Sequence, residues 1–89
     1  MNLEIKLTIP QQVISRQTGD EMVLLDLESG LYFGVDGVGQ RIWETFAEGR
    51  NLEEAIAVVV AEYEVDQAQA QADVIAFVRN LVDRGLLTE

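Results

Sequence analysis

Residues 24–43 read LLDLESGLYFGVDGVGQRIW: a strand, a tight turn, a second strand and the start of a helix. Glu28-Ser29-Gly30 has the composition of a hairpin connection. Leu31–Val35 returns as a short apolar strand without a charge. Asp36 has the side chain to cap the helix that follows. Gly39, Ile42, Trp43 and Phe46 then recur at helical spacing, giving that helix one buried face with Trp43 in the core. Gly39 leaves room for another element to approach its turn, and Gly49 supplies a left-handed helix ending.

Upstream, Val13–Gln17 is expected as a first strand and Thr18-Gly19-Asp20 as its turn. Met22–Leu27 is nearly all apolar, as a middle strand flanked on both sides requires. Sequential pairing then leaves Leu31–Val35 at the sheet edge. An uncharged edge strand is either covered or a place for another chain to dock. Tyr32 and Phe33 fall on opposite faces of it. Residues 1–12 contain an alternating LEIKLTIP halted by Pro10, and read as an N-terminal arm or short strand ahead of a domain spanning 13–89.

Downstream, Asn51-Leu-Glu-Glu54 is a capping-box pattern opening a second helix that runs to about Tyr63. Leu52, Ile56, Val59, Val60 and Tyr63 mark its inward face. Asp66 opens a third helix that ends near Arg84, where Gly85 and Leu86 suit a Schellman ending. Val74, Ile75, Phe77, Val78, Leu81 and Val82 cover an arc of roughly 180° on this helix, where a single contact needs about 100°. Two explanations fit. The helix packs on both other helices and the sheet, or Ile75, Val78 and Val82 line a groove beside the sheet edge. The fold class expected is α+β and winged-helix-like: a three-stranded antiparallel sheet followed by a three-helix bundle.

Composition narrows the function. Eighty-nine residues make one domain with a small core. The chain has no cysteine or histidine, which removes thiolate chemistry, the commonest general base and the commonest metal ligand. Sixteen acids against six bases give a formal charge of −10, which repels nucleic acid and anionic membrane surfaces. The third helix sets Asp66, Asp73 and Asp83 against Arg79 and Arg84, so it offers no basic stripe for DNA. No basic start precedes a long apolar stretch, so a cytoplasmic location is expected.

The carboxylates do not form a recognisable site. Glu62, Glu64 and Asp66 lack the length and the glycine of a calcium loop. Glu53 and Glu54 belong at a helix N-terminus, where negative charge is stabilising. GVDGVG is followed by no Lys and is not a phosphate loop. The chain is expected not to be an enzyme and to hold no cofactor and no metal.

The Leu24–Trp43 pattern resembles the PqqD-like family, the precursor-peptide recognition domains of ribosomally made, modified peptides. The likeness continues through EGRNLEEAI, EYEVD and DVIAFVRNLVDRGLL, from about Val13 to Leu87. Asp36 stands where Asn is more usual, and either residue caps a helix. The resemblance implies three strands followed by three helices, with the leader of a precursor peptide bound as an added strand on the third strand, beside the third helix. Carried onto this chain, it implies a peptide site of Leu31, Tyr32, Phe33, Gly34, Val35, Val74, Ile75, Val78, Arg79 and Val82, with Arg79 at the rim for a leader carboxylate. The DLESGLYFGVDGVG form is most similar to the stand-alone leader-binding proteins of lasso-peptide biosynthesis. Those act beside a leader peptidase and a cyclase, so both are expected partners, with this chain a monomer or weak dimer. The alternative is a PqqD-type chaperone presenting its peptide to a radical enzyme in quinone cofactor biosynthesis. Less favoured are a winged-helix DNA-binding module and a structural oligomer subunit.

Overall fold

The computed structural model describes residues 2–89; Met1, the first residue of the arm expected over 1–12, lies outside the described residues. The element order is β1 (Val13–Thr18), β2 (Glu21–Asp26), β3 (Tyr32–Val35), α1 (Gly37–Ala47), α2 (Leu52–Tyr63) and α3 (Gln67–Asp83). The strands form one antiparallel sheet in the order β1-β2-β3. This is the α+β arrangement that the sequence leads one to expect.

The register sorts the sheet into two faces, because opposed residues share a side. Ser15, Leu24 and Phe33 are in line, as are Met22 and Val35, and with Val13 they form the inner face. Leu24, Met22, Val13 and Val35 are buried there. The outer face carries Ile14, Leu25 and Tyr32 in one row, with Arg16, Val23 and Gly34 in the next. Tyr32 is 73% exposed and Phe33 half-buried, which assigns the two aromatic faces that the sequence left open. The β2–β3 turn is built by Asp26. Its carboxylate accepts from the Glu28 and Ser29 backbone N–H groups at 2.9 and 3.3 Å, and Gly30 sits at φ 77°.

The helix ends follow from their residues. Asp36 accepts from the Gly39 N–H at 2.8 Å, and Asp66 accepts from the Gln69 N–H at 2.8 Å. At the close of α3, Gly85 is left-handed at φ 75° while the Leu86 N–H donates to the Leu81 carbonyl, completing a Schellman motif. Gly49 ends α1 in the same way. The core is one cluster around Leu24, Leu52, Ile56, Val74, Val78, Leu81, Leu86 and Leu87. Trp43 lies in it. Tyr63 differs from expectation: it is 39% exposed, and its hydroxyl donates to the Gly37 carbonyl at 3.4 Å.

The described part of the N-terminal arm is tied down without forming a strand. Thr8 and Thr88 exchange two backbone hydrogen bonds, at 2.7 and 2.9 Å. The Leu3 and Ile5 carbonyls accept from the Glu53 and Leu52 N–H groups. Those are orphan donors of the first turn of α2, so the arm and the capping box together satisfy that helix end. Leu7 is buried beneath. In the capping box, the Asn51 side chain accepts from the Glu54 N–H at 2.9 Å and Glu54 accepts from the Asn51 N–H at 3.0 Å.

The Asn51 hydrogen bond, assisted by Arg50, holds the Glu54 carboxyl below its ordinary range. A depressed pKa means that the charged form supports the fold at neutral pH, and that this support fades as pH falls through the folded-state value. Glu54→Gln keeps an acceptor and loses the charge. Urea denaturation is expected to show wild type ahead of Glu54→Gln at neutral pH, with the gap closing in acid. Asn51→Ala is expected to cost about 1 kcal/mol.

Candidate functional site

β3 has one neighbour. The Asp26 N–H donates to the Leu31 carbonyl at 2.8 Å, which fixes the direction of the alternation: the backbone groups of Leu31, Phe33 and Val35 face β2. Those of Tyr32 and Gly34 therefore face outward, where no described strand pairs with them. A Cβ built on Gly34 would project from the outer face of the sheet and meets nothing within 4 Å, so that face is uncovered at this position.

One flank of α3 borders that edge. The Arg84 guanidinium lies over the Phe33 ring, 4.8 Å from its centroid. Towards the other end, Phe77 packs against Gly39, where an added Cβ would come within 3.0 Å of the ring. The sequence marked Gly39 for such an approach. Beyond Phe77 lies a cavity of about 320 Å³ walled by Val38, Gly39, Ile42, Val59, Tyr63, Val65, Val74 and Phe77, with the carboxylates Asp36 and Asp73 among its lining. A pocket of that size suits one or two apolar side chains anchored by an extended backbone. A second depression lies at the end of β3, lined by Asp20, Glu21, Gly34, Val35, Asp36 and Gly37.

The residues expected from the sequence divide. Leu31, Tyr32, Phe33, Gly34 and Val35 form the edge as expected, although Leu31 precedes the strand proper. Val74 and Val78 are wholly buried; Val74 contributes to the wall of the cavity, and Val78 belongs to the core. Ile75, Arg79 and Val82 are on the other flank of α3. At about 100° per residue, Ile75 lies half a turn round the helix from Arg84. Val82 and Arg79 border a shallow depression with Asp83 and Glu89. The broad apolar arc is thus explained by packing on both sides: Ile75 and Val82 are partly buried against the core. On α3 it is Arg84 that meets β3, over Phe33, while Phe77 meets Gly39 of α1 and Asp73 lines the cavity beyond it. The helical wheel contained Phe77, but nothing in it told which flank meets β3.

Among the described residues no group of His, Cys, Asp or Glu is placed to hold a metal ion, and no helix is long and apolar enough to cross a membrane. Arg41 forms an ion pair with Glu62 at 3.1 Å, and their hydrogen bond raises the arginine's pKa; this pair joins α1 to α2 away from the groove. What the site offers is a backbone edge, an apolar cavity and a few fixed charges, which is equipment for holding an extended peptide.

Comparison with known proteins agrees. The family model described as coenzyme PQQ synthesis protein D (PqqD) matches residues 21–87. A solved structure described as TbiB1 in complex with the TbiA(beta) leader peptide is 43% identical, with a TM-score of 0.83, covering 89% of this chain and 92% of that one. A second, lasso peptide synthetase B1 complexed with the leader peptide, is 26% identical, with a TM-score of 0.88, covering 96% and 100%. None of the curated proteins compared matches the chain.

The burial of Val78 makes a prediction. Val78→Asp is expected to cost more than about 3 kcal/mol, by placing an unpaired carboxylate in the core. Thermal denaturation should show a large loss of stability for this variant, and little change for Arg79→Ala on the exposed flank.

Proposed function

The chain belongs to the PqqD family, and we propose that it binds the leader segment of a ribosomally made precursor peptide as a strand added to β3. The observation that carries this reading is the outward-facing backbone of Tyr32 and Gly34, beside a wall formed by Phe77 and Arg84. Backbone pairing supplies affinity with little demand on sequence, and the cavity beyond Phe77 selects an apolar anchor. Leu31, Phe33 and Val35 hold the edge to β2, while Val74 and Val78 keep α3 at the right distance.

The pathway favoured is lasso-peptide biosynthesis, because both solved relatives are described as leader-peptide complexes and one as a lasso peptide synthetase component. The protein acts as a binding partner and not as a catalyst. It delivers the bound precursor to a leader peptidase, then to the ring-forming cyclase, in the cytoplasm. The charge of −10 favours encounter with a basic enzyme surface more than it tightens the complex. It also opposes binding to nucleic acid.

The test is a fluorescence titration with a synthetic TbiA(beta) leader, using wild type and Gly34→Pro. Proline is tolerated on an edge strand but removes the outward N–H and fills the docking edge. Wild type is expected to bind saturably. Gly34→Pro is expected to keep its circular dichroism spectrum and to lose about tenfold or more in affinity, as the loss of a backbone hydrogen bond and of close approach implies. Absence of binding by wild type, or equal binding by the folded variant, would contradict the proposal.

A further inference from the structure

Arg84 stands apart from the other cations of this acidic chain. Six bases face sixteen acids, and all four ion pairs among the described residues belong to Arg41 and Arg50, so Arg84 shares its lack of an ion pair with Lys6, Arg16 and Arg79 and differs from them in lying over an aromatic ring. Arg84 has no carboxylate within 4 Å among the described residues. Its Nε donates to the Asn80 side-chain oxygen at 2.9 Å, and its terminal nitrogens donate to no described protein group. The guanidinium carbon lies 4.8 Å from the centroid of the Phe33 ring, the inner-face aromatic of the edge strand. This contact and the Asn80 bond fix the fork before any ligand arrives, which reduces the entropy lost on binding. A planar guanidinium with free terminal donors matches a carboxylate in two-point geometry.

The far end of the same strand has the opposite character. Asp36 follows Val35 directly. Asp20 and Glu21 share a depression with Gly34 and Val35, and Asp73 lines the cavity beyond Phe77. No Lys or Arg lines either hollow. At about 3.4 Å per strand residue, the Phe33 and Asp36 ends are roughly 10 Å apart, far enough for the two to act on different residues of a docked strand.

We propose that the groove reads charge along its length: Arg84 receives an aspartate or glutamate side chain of the docked peptide, and the carboxylates around Asp36 reject one. This rests on the β3 docking reading and adds the peptide's charge pattern to it. A backbone-paired strand can slide by two residues and still present the same face. A carboxylate on the face shared with Phe33, captured by Arg84, fixes which register is bound. Repulsion at the Asp36 end penalises the slipped alternatives. Arg84 therefore takes the role that the sequence assigned to Arg79.

The experiment is a selection of random peptides by messenger-RNA display against the full-length protein, repeated on Arg84→Glu, followed by affinities of the selected peptides for wild type, Arg84→Glu and Arg84→Lys. Arg84 is exposed at the helix end, so its variants are expected to fold. Peptides selected on wild type are expected to share one acidic position, replaced by a basic one on Arg84→Glu. Their affinity is expected to fall about tenfold or more on charge reversal and to be only partly kept by Arg84→Lys, which retains the charge but not the two-point fork. Selected peptides without an acidic position, or acidic peptides indifferent to Arg84→Glu, would overturn the charge reading. If such peptides still lose affinity on Gly34→Pro, docking on β3 stands without it. Selected peptides indifferent to Gly34→Pro would overturn both.

Discussion

Each residue of a β-strand offers its backbone donor and acceptor to one side, and successive residues alternate. In β3 the groups of Leu31, Phe33 and Val35 are turned to β2, while those of Tyr32 and Gly34 have no described strand to meet. Such an edge is a standing invitation to other chains, and natural sheets usually blunt it with charge, proline or a covering element. This one has none of the three on the strand itself. The rest of the molecule makes sense as the means of keeping that edge open yet selective. The hairpin is pinned by Asp26, α1 is capped by Asp36, and α3 stands beside the edge instead of lying over it.

The placement of α3 depends on the core. Val74, Val78 and Leu81 are wholly buried, which commits the centre of the helix to packing and leaves its two flanks for other uses. One flank packs Ile75 and Val82 partly against the core. The other presents Phe77 to Gly39 and Arg84 to Phe33. Gly39 is what permits the first of these approaches. A larger residue there would crowd the Phe77 ring and the Asp36 cap, so the close approach of α3 to α1 depends on this glycine.

Much of this was legible in the sequence. Capping residues at Asp36, Asn51 and Asp66 and the glycines at 49 and 85 gave the helix limits, because these signals are local and each has one physical meaning. The edge position of β3 followed from sequential pairing. The inward residues of α1 were clear from spacing. The flank of α3 was not legible. A helical wheel ranks positions around an axis but does not say which neighbour lies on which side, so it does not separate the flank of Phe77 and Arg84, which meets Gly39 and Phe33, from the flank of Ile75 and Val82. The tie between the N-terminal arm and α2 was hidden for a similar reason. It is made by the carbonyls of Leu3 and Ile5, and backbone atoms leave no trace in residue identity.

The central claim is that a peptide completes the ladder at Tyr32 and Gly34. Amide hydrogen exchange followed by NMR, with and without a bound leader peptide, reads it directly. In the free protein the amides of Phe33 and Val35 are expected to be protected by β2, and those of Tyr32 and Gly34 to exchange faster. On binding, Tyr32 and Gly34 should become protected, each with a cross-strand contact to a peptide backbone proton. Protection that arises elsewhere while Tyr32 and Gly34 continue to exchange as in the free protein would contradict the account.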